Sequence, residues 1–501
     1  MRSPERGAGA RIPFARYMDR CLYDEDFGYY AAGCVRFGLD GHFSTYAERL
    51  SPVFGAMVAR AVAESLHALR ARIPEGVPLT MLELGAGDGD LARDVLDEML
   101  RRRNEDGWGF VDRLTYVIGE KSEALRERQL ARAPEHVAAG RLVVHPVDAL
   151  DLFWEGPFHG VVFANELVDA FPCEHLILTS RLGEAPPAAV RRVMVWGETV
   201  AGTLDDEGAF WRAVARGEPM RVHADAVPWS EAWPDGVPAG LMDYLDHVRP
   251  LVDDLATCEL LPSSLCWAPG TRPFIDRLSE ILDGPDRTGI ALLVDYGGTS
   301  RHVLDPRSRA PHLRAYAGEE AVGPLDAPAR VDLTWDVDFT DVGRLAAARG
   351  LSVLHFGPQA GLEGRERSLD TRGTRGAFVA ALERQGYAAA EAEQEADDLV
   401  ASFRESRGFH LLALGPDGVA LREGAFGRSA PVDAMPTVAR EVDVVALEAA
   451  VASLGLQGAS GWLLPCCDVR GSCGDYDAAG SALEVESLLR RREWLRDPGE
   501  I

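Results

Sequence analysis

Lysine is almost missing from this chain. Lys121 is the only one among 52 basic residues, the rest being arginine, and 79 acidic residues bring the formal net charge to −27. Such an acidic balance argues against a nucleic-acid backbone or an anionic membrane surface as the main partner, and is compatible with a basic substrate. No apolar run approaches the roughly 20 residues that span a bilayer, so no membrane span is expected. Cysteine is sparse and unpaired in pattern: eight residues, Cys21, Cys34, Cys173, Cys258, Cys266, Cys466, Cys467 and Cys473, with no C-x-x-C among them. With no signal-peptide pattern at the start, a reducing cytoplasm is the simplest expectation. Cys466, Cys467 and Cys473 gather near Asp468 and Asp475 in a glycine-rich turn. A structural turn is preferred there over a redox or metal site, and no metal is expected.

What is present is a globular composition, 47% hydrophobic and 26% charged over 501 residues, enough for two or three domains or one elaborated α/β domain. The chain is organised around Leu79–Leu91, LTMLELGAGDGDL. Met81, Leu82 and Leu84 make an apolar run around Glu83, which breaks into Gly85, Gly87 and Gly89. Leu91, Val95, Leu96 and Met99 then recur at helical spacing. Strand, tight turn and helix in that order open a doubly wound α/β unit. The glycines permit positive φ and close approach of a ligand to the backbone, and the helix start offers unpaired N–H groups. A dinucleotide fingerprint would read G-x-G-x-x-G. The spacing here, G-x-G-x-G after an acidic residue, is the version familiar from class I methyltransferases, whose loop holds the amino-acid end of S-adenosylmethionine (SAM). A purely structural turn stays open on the loop alone.

Further phrases follow in order. Ile12–Asp24 reads as an amphipathic helix, leading to the aromatic turn Phe27-Gly28-Tyr29-Tyr30. Phe37-Gly38, Gly41-His42-Phe43-Ser44-Thr45 and Leu50-Ser51-Pro52-Val53-Phe54-Gly55 come next, with Ser51 as the expected N-cap of a helix reaching about Arg72. Then come Tyr116-Val117-Ile118-Gly119-Glu120, Asn165-Glu166-Leu167-Val168-Asp169-Ala170-Phe171-Pro172, Val294-Asp295-Tyr296-Gly297, Leu313-Arg314-Ala315-Tyr316, Asp332-Leu333-Thr334 and Val337-Asp338-Phe339-Thr340. Together, across residues 12 to 414, these phrases resemble the family typified by the mitochondrial complex I assembly factor methyltransferase and its MidA-type bacterial relatives. The chain departs from it in three places. Gly41-His42-Phe43 stands where the family usually has G-D-F, with about one extra residue before Ser51. The stretch from Thr179 to Cys258 is long, and some 85 residues follow Leu414.

The expected architecture is a class I Rossmann-like methyltransferase sheet. Its strands are expected near 79–84, 114–119, 141–145, 160–164, 289–295, 351–356 and 409–414. Residues 1–75 would form an N-terminal helical cap, 76–178 and 259–415 the two halves of the core, 179–258 a substrate-side insertion, and 416–501 a C-terminal extension. The extension carries two expected helices, Val438–Leu454 and Ala482–Leu495, with dimerisation or lid contacts as its expected use.

In an open α/β sheet the ligand's groups would sit over the strand ends. Gly85, Gly87 and Gly89 would pass under the methionyl part of SAM, with Glu83 in support. Glu120 ends the second strand, where a carboxylate can accept both ribose hydroxyls. Asp148 follows the third strand and is read either as an adenine contact or as a helix cap. Asn165 and Glu166 end the fourth strand, where class I enzymes present acceptor-binding groups, and Asp169 lies one helical turn on. The plain alternative for them is a strand end with a cap. Asp295 and Tyr296 form a second candidate wall, although Tyr296 can simply pack. Arg314, Asp336 and Asp338 read equally well as salt-bridge members. His42 is a candidate base set against an ordinary surface histidine.

The resemblance implies SAM-dependent methylation of a guanidino nitrogen, in the family's known case that of a protein arginine; the altered entry region and long insertion raise free arginine or another small metabolite as a nearby alternative. A guanidinium is protonated at any physiological pH, so carboxylates must hold its planar fork and localise its charge. The short stretch before the matching region leads to the expectation of a bacterial cytoplasmic member without a transit segment. Two other classes stay in view. One is an assembly factor that binds SAM without turnover. The other is a nicotinamide-dependent oxidoreductase, disfavoured by the glycine spacing.

Overall fold

The computed structural model describes residues 10–31, 46–183, 186–233, 236–306, 312–318, 320–364, 372–384, 386–406, 408–426 and 429–430. His42, Cys466, Cys467, Cys473 and both expected tail helices lie outside them.

The seven expected strands form the backbone of one large sheet: β1 Leu79–Leu84, β2 Leu114–Gly119, β3 Leu142–His145, β4 Phe158–Asn165, β5 Arg287–Gly298, β6 Leu351–Pro358 and β7 Phe409–Pro416. Their spatial order is β6-β7-β5-β4-β1-β2-β3. β1 to β5 run parallel, while β7 inserts antiparallel between β5 and β6. The chain therefore starts in the middle of the sheet, winds out through β2 and β3, and returns to β4 on the other side of β1. The reversal between β1 and β4 leaves a crevice above the strand ends.

Side chains of these strands alternate between two cores, as a sheet covered on both faces requires. Met81, Val161, Phe163, Leu292 and Val294 pack under the helix Val53–Leu69 with Phe54, Met57 and Val58. Leu82, Leu84, Val162, Ala164 and Leu293 face the opposite way, toward the helices Phe14–Tyr23, Thr271–Leu282 and Phe339–Ala347. The helix Phe14–Tyr23 buries Phe14, Tyr17, Met18, Cys21 and Leu22, the stripe its spacing predicts. Ser51 does not cap the next helix. That helix begins at Val53 with Pro52 before it, and the Ser51 hydroxyl donates to Asp94 instead.

Between β4 and β5 the chain builds a second, antiparallel sheet. Glu174–Leu178, Val190–Thr199, Gly202–Thr203, Met220–Pro228 and Ser263–Trp267 form it, joined by Ile12–Pro13 from the N-terminal segment. A third sheet of three short strands, Leu313–Ala317, Glu320–Val322 and Asp332–Trp335, follows β5.

Candidate active site

The glycine turn after β1 is held in a shape that only glycine takes without strain. Gly85, Gly87 and Gly89 have φ of 73°, 52° and 85°. Space is limiting as well: a Cβ on Gly85 would lie 3.1 Å from Leu167 Cδ1, and one on Gly89 3.2 Å from Gln129 Cα. The bare backbone faces a cavity of about 560 Å³ over the ends of β1, β2 and β4, and the N-terminus of the helix Asp90–Arg102 opens beside it.

One end of the cavity is lined by Glu83, Gly85, Gly87, Glu120, Lys121 and Asp148. Each of its carboxylates already has partners. Tyr116 Oη donates to Glu83 at 2.8 Å. Burial still pushes the Glu83 carboxyl up to about 7, with the tyrosine bond pulling the other way. Glu120 accepts from the Ser122 amide at 2.7 Å and from Gln129 Nε2 at 3.4 Å. Burial raises it, and those donors oppose the rise. Gln129 Nε2 also donates to the Gly87 carbonyl at 2.9 Å, so one fully buried amide ties the turn to the acid on β2. Asp148 caps a 3-10 turn through the Leu150 amide at 3.0 Å and pairs with Lys121 at 2.8 Å. It is both a cap and a cavity residue.

The other end is lined by Asn165, Glu166, Asp169, Tyr296, Asp332 and Thr334, with Tyr23, Tyr30 and Tyr316 around them. Asn165 Nδ2 donates to Glu166 Oε1 at 3.0 Å. Glu166 has φ of 53°, a left-handed conformation costly for a residue with a long side chain and characteristic of functional positions. Asp295 explains how that conformation is held. The amides of Leu167, Val168 and Asp169 converge on its Oδ2 at 3.2, 2.9 and 3.3 Å, and the Tyr296 amide bonds Oδ1 at 2.9 Å. The Glu166 amide is fixed to the Val294 carbonyl at 2.8 Å. Asp169 Oδ2 accepts from Thr334 Oγ1 at 2.6 Å, while its buried Oδ1 has no donor. Burial pushes Glu166 well above the carboxylate range, and the charge of Asp169 adds to the rise. Asp295 rises for the same reasons, burial first and then Asp169 and Glu166. Asp332 is pushed up to about 7 by burial, against the bond it receives from Tyr30.

Residues 57–357 match the family model of the S-adenosyl-L-methionine-dependent methyltransferases. The chain belongs to that family. Among curated proteins, it is 26% identical over 359 residues to the protein arginine methyltransferase NDUFAF7 homolog, mitochondrial, of Drosophila melanogaster. That match spans 68% of this chain and 67% of the fly protein. The Caenorhabditis elegans protein of the same name is 26% identical over 385 residues, 72% of this chain and 75% of its own. A crystal structure of a Burkholderia thailandensis protein bound to S-adenosyl-homocysteine superposes with a TM-score of 0.58 at 22% identity. It covers 84% of this chain and 91% of that one, and supports the fold.

In this methyltransferase the cofactor is SAM, and the residues present fit it. Gly85 and Gly87 bring bare backbone to the cavity wall in a left-handed turn, and Glu120 keeps acceptor capacity beyond its protein donors. Of the residues assigned from sequence, Glu83, Gly85, Gly87, Glu120, Asp148, Asn165, Glu166, Asp169 and Tyr296 line one cavity. Gly89 sits behind it against Gln129. Asp295 lies beneath it as a positioning residue. Tyr296 does both jobs weighed for it, packing 3.8 Å from the Phe409 ring centre while lining the cavity. Arg314 and Asp336 pair at 2.6 Å, and Asp338 caps the helix Phe339–Ala347; none of the three lines it. No described residue of 179–258 lines it either. The far wall comes from Asp332–Trp335 and the aromatic turn after the first helix. Tyr30, Asp332, Thr334 and Gln129 had carried no assigned role. Gln129 alone left a local signal, a polar residue four positions after Leu125 on a helix face that packs inward.

Proposed function

We propose that this methyltransferase acts on a guanidino nitrogen of an arginine side chain in a protein. The observation that carries the reading is the cluster of Glu166, Asp169 and Asp332 lining the cavity on the β4 side of the glycine turn, with Glu120 on its β2 side. Three carboxyl groups whose proton affinity is raised by burial and mutual repulsion call for a cation between them. A planar, permanently charged guanidinium matches that demand and can be held along two edges. The names of the fly and nematode relatives support a protein arginine as the acceptor.

The bound cofactor supplies an electrophilic methyl group on a sulfonium. The turn Gly85–Gly89 and the start of the helix Asp90–Arg102 would hold its amino-acid end, Glu120 the ribose hydroxyls, and the Asp148 region the adenine. Glu166 and Asp169 hold the acceptor and draw its positive charge toward the nitrogens they touch, leaving electron density on the nitrogen to be methylated. That nitrogen loses one proton as its new N–C bond forms. Glu166, with one oxygen fixed by Asn165 and a high proton affinity, is positioned to receive it. Positioning and exclusion of water supply most of the acceleration.

The test is transfer of labelled methyl from SAM to peptides with a single arginine, in parallel with a lysine peptide and free arginine. Methylarginine recovered from the hydrolysed peptide is the expected product. Label on free arginine but not on the peptide would reassign the acceptor to a small molecule. Label only on a non-guanidino group would remove the arginine reading.

A further inference from the structure

The acceptor end has a second wall, built by elements distant in sequence from Glu166. Tyr316 and Asp332 are direct partners in the three-stranded sheet, and Thr334 follows Asp332 on the same face two residues on. All three line the cavity. Thr334 engages one oxygen of Asp169 at 2.6 Å, and the other, buried, has no donor. Tyr30 Oη donates to Asp332 Oδ1 at 2.6 Å, its ring stacked on Tyr23 at 5.9 Å. Tyr23 Oη in turn donates to the Ala170 carbonyl at 2.8 Å, beside Asp169. The N-terminal segment therefore clamps Asp332 and the turn bearing Asp169 to the same place.

The charged groups acting on this pair include a third buried acid, Asp295, whose carboxyl shares a hydrogen bond with Asp169 when one of the two is protonated, and is itself raised by it. Asp169 raises Asp332, and Asp332 contributes to the rise of Glu166. Arg314 lowers Asp169 and pairs with Asp336 at 2.6 Å. Buried carboxyls gathered this closely are costly to ionise together, and a cation between them lowers that cost. Lys121 already lies over the Tyr23 ring at 5.7 Å and Arg314 over Tyr296 at 5.2 Å, so the aromatic groups around this end are in cation contact with the chain itself.

We propose that Asp332, carried by the third sheet, and Asp169, on the turn that follows Glu166, form a further cation-binding pair, which selects the acceptor by its positive charge. The pair rests on the arginine reading only in requiring a cationic side chain. Asp332 touches the acceptor and sets its affinity, whereas Glu166 serves the reacting nitrogen. The carboxyl of Asp332, pushed up to about 7, must be ionised to bind, so acceptor affinity rises as pH increases through that value.

The experiment uses the full chain saturated with S-adenosyl-homocysteine and three otherwise identical neutral peptides, carrying one arginine, one citrulline or one lysine. Citrulline keeps the planar shape and removes the charge. Wild type should bind the arginine peptide at least 10-fold tighter than the citrulline peptide, with affinity climbing from pH 6 to 8. Asp332→Asn should weaken the arginine peptide about 10-fold and leave citrulline and S-adenosyl-homocysteine affinities unchanged, while flattening the climb. Tyr30→Phe removes a donor but keeps the charge, so it should move the climb to higher pH and serves if Asp332→Asn fails to fold. Undiminished arginine-over-citrulline preference in Asp332→Asn, an unmoved profile in Tyr30→Phe, or no charge preference in wild type would overturn the pair. A preference for lysine that Asp332→Asn abolishes would support the pair and overturn the arginine reading.

Discussion

The two ends of the cavity are built on opposite plans. At the cofactor end the backbone does the holding, and each acid arrives already bonded: Glu83 to Tyr116, Glu120 to Ser122 and Gln129, Asp148 to Leu150 and Lys121. At the acceptor end four acids, Glu166, Asp169, Asp295 and Asp332, lie within mutual influence, and burial drives all four upward. A donor-less oxygen on Asp169 and a left-handed Glu166 are found there too. The cofactor end is a mould in which Glu83, Glu120 and Asp148 are each bonded before a ligand arrives. The acceptor end is a charge imbalance that the ligand corrects, so its electrostatic cost in the empty enzyme becomes discrimination for a cation.

The sharpest way to break that comparison is at Glu166. Glu166→Gln keeps the shape and removes the charge; turnover should fall on the order of 10²–10³-fold. Binding of S-adenosyl-homocysteine, measured calorimetrically, should change less than about 3-fold, since Glu166 belongs to the other end. Equal loss of both would mean the two ends are not separable. Asp295→Ala comes next, leaving four amides without their acceptor. A loss of about 3 kcal/mol in chemical denaturation is expected, from buried donors left unpaired. Asp295→Asn retains one acceptor oxygen and should recover most of that stability at neutral pH, showing that geometry, not charge, is what the acceptor end takes from this residue. Glu120→Ala should weaken S-adenosyl-homocysteine by about 10-fold, the worth of a charge-assisted hydrogen bond, with turnover at saturating SAM within about 3-fold of wild type. Lys121→Ala should have the smallest effect. Its pair with Asp148 is more than half exposed on the lysine side, and such pairs contribute about 0–1 kcal/mol. A larger effect on cofactor affinity would show that the cofactor end also relies on charge.

The seven strands could be read ahead of the structure because each is a local pattern. Apolar residues at Met81–Leu84, Tyr116–Ile118, Val161–Ala164 and Ile290–Val294 needed no distant partner to declare themselves. The glycine turn and the acids that end β2 and β4 are local for the same reason, since they sit where a parallel strand stops. Ser51 shows the limit of that logic. It had the sequence position of a cap, but the helix Asp90–Arg102 packed close by and supplied Asp94 as a better partner.

By itself, then, the chain's sequence determined a doubly wound sheet, a SAM-type glycine turn, and the acids at its strand ends, because these depend on spacing within a few residues. Only the tertiary structure decided which acids meet. Tyr30 and Asp332 bond across 302 positions and Asp169 and Thr334 across 165. Asp295 turned from a candidate wall into the anchor beneath Glu166, because three successive amides of the neighbouring loop fold onto it. No spacing rule contains those contacts. They follow from the third sheet and the N-terminal segment closing over one end of the crevice, where burial raises the proton affinity of the acids brought together.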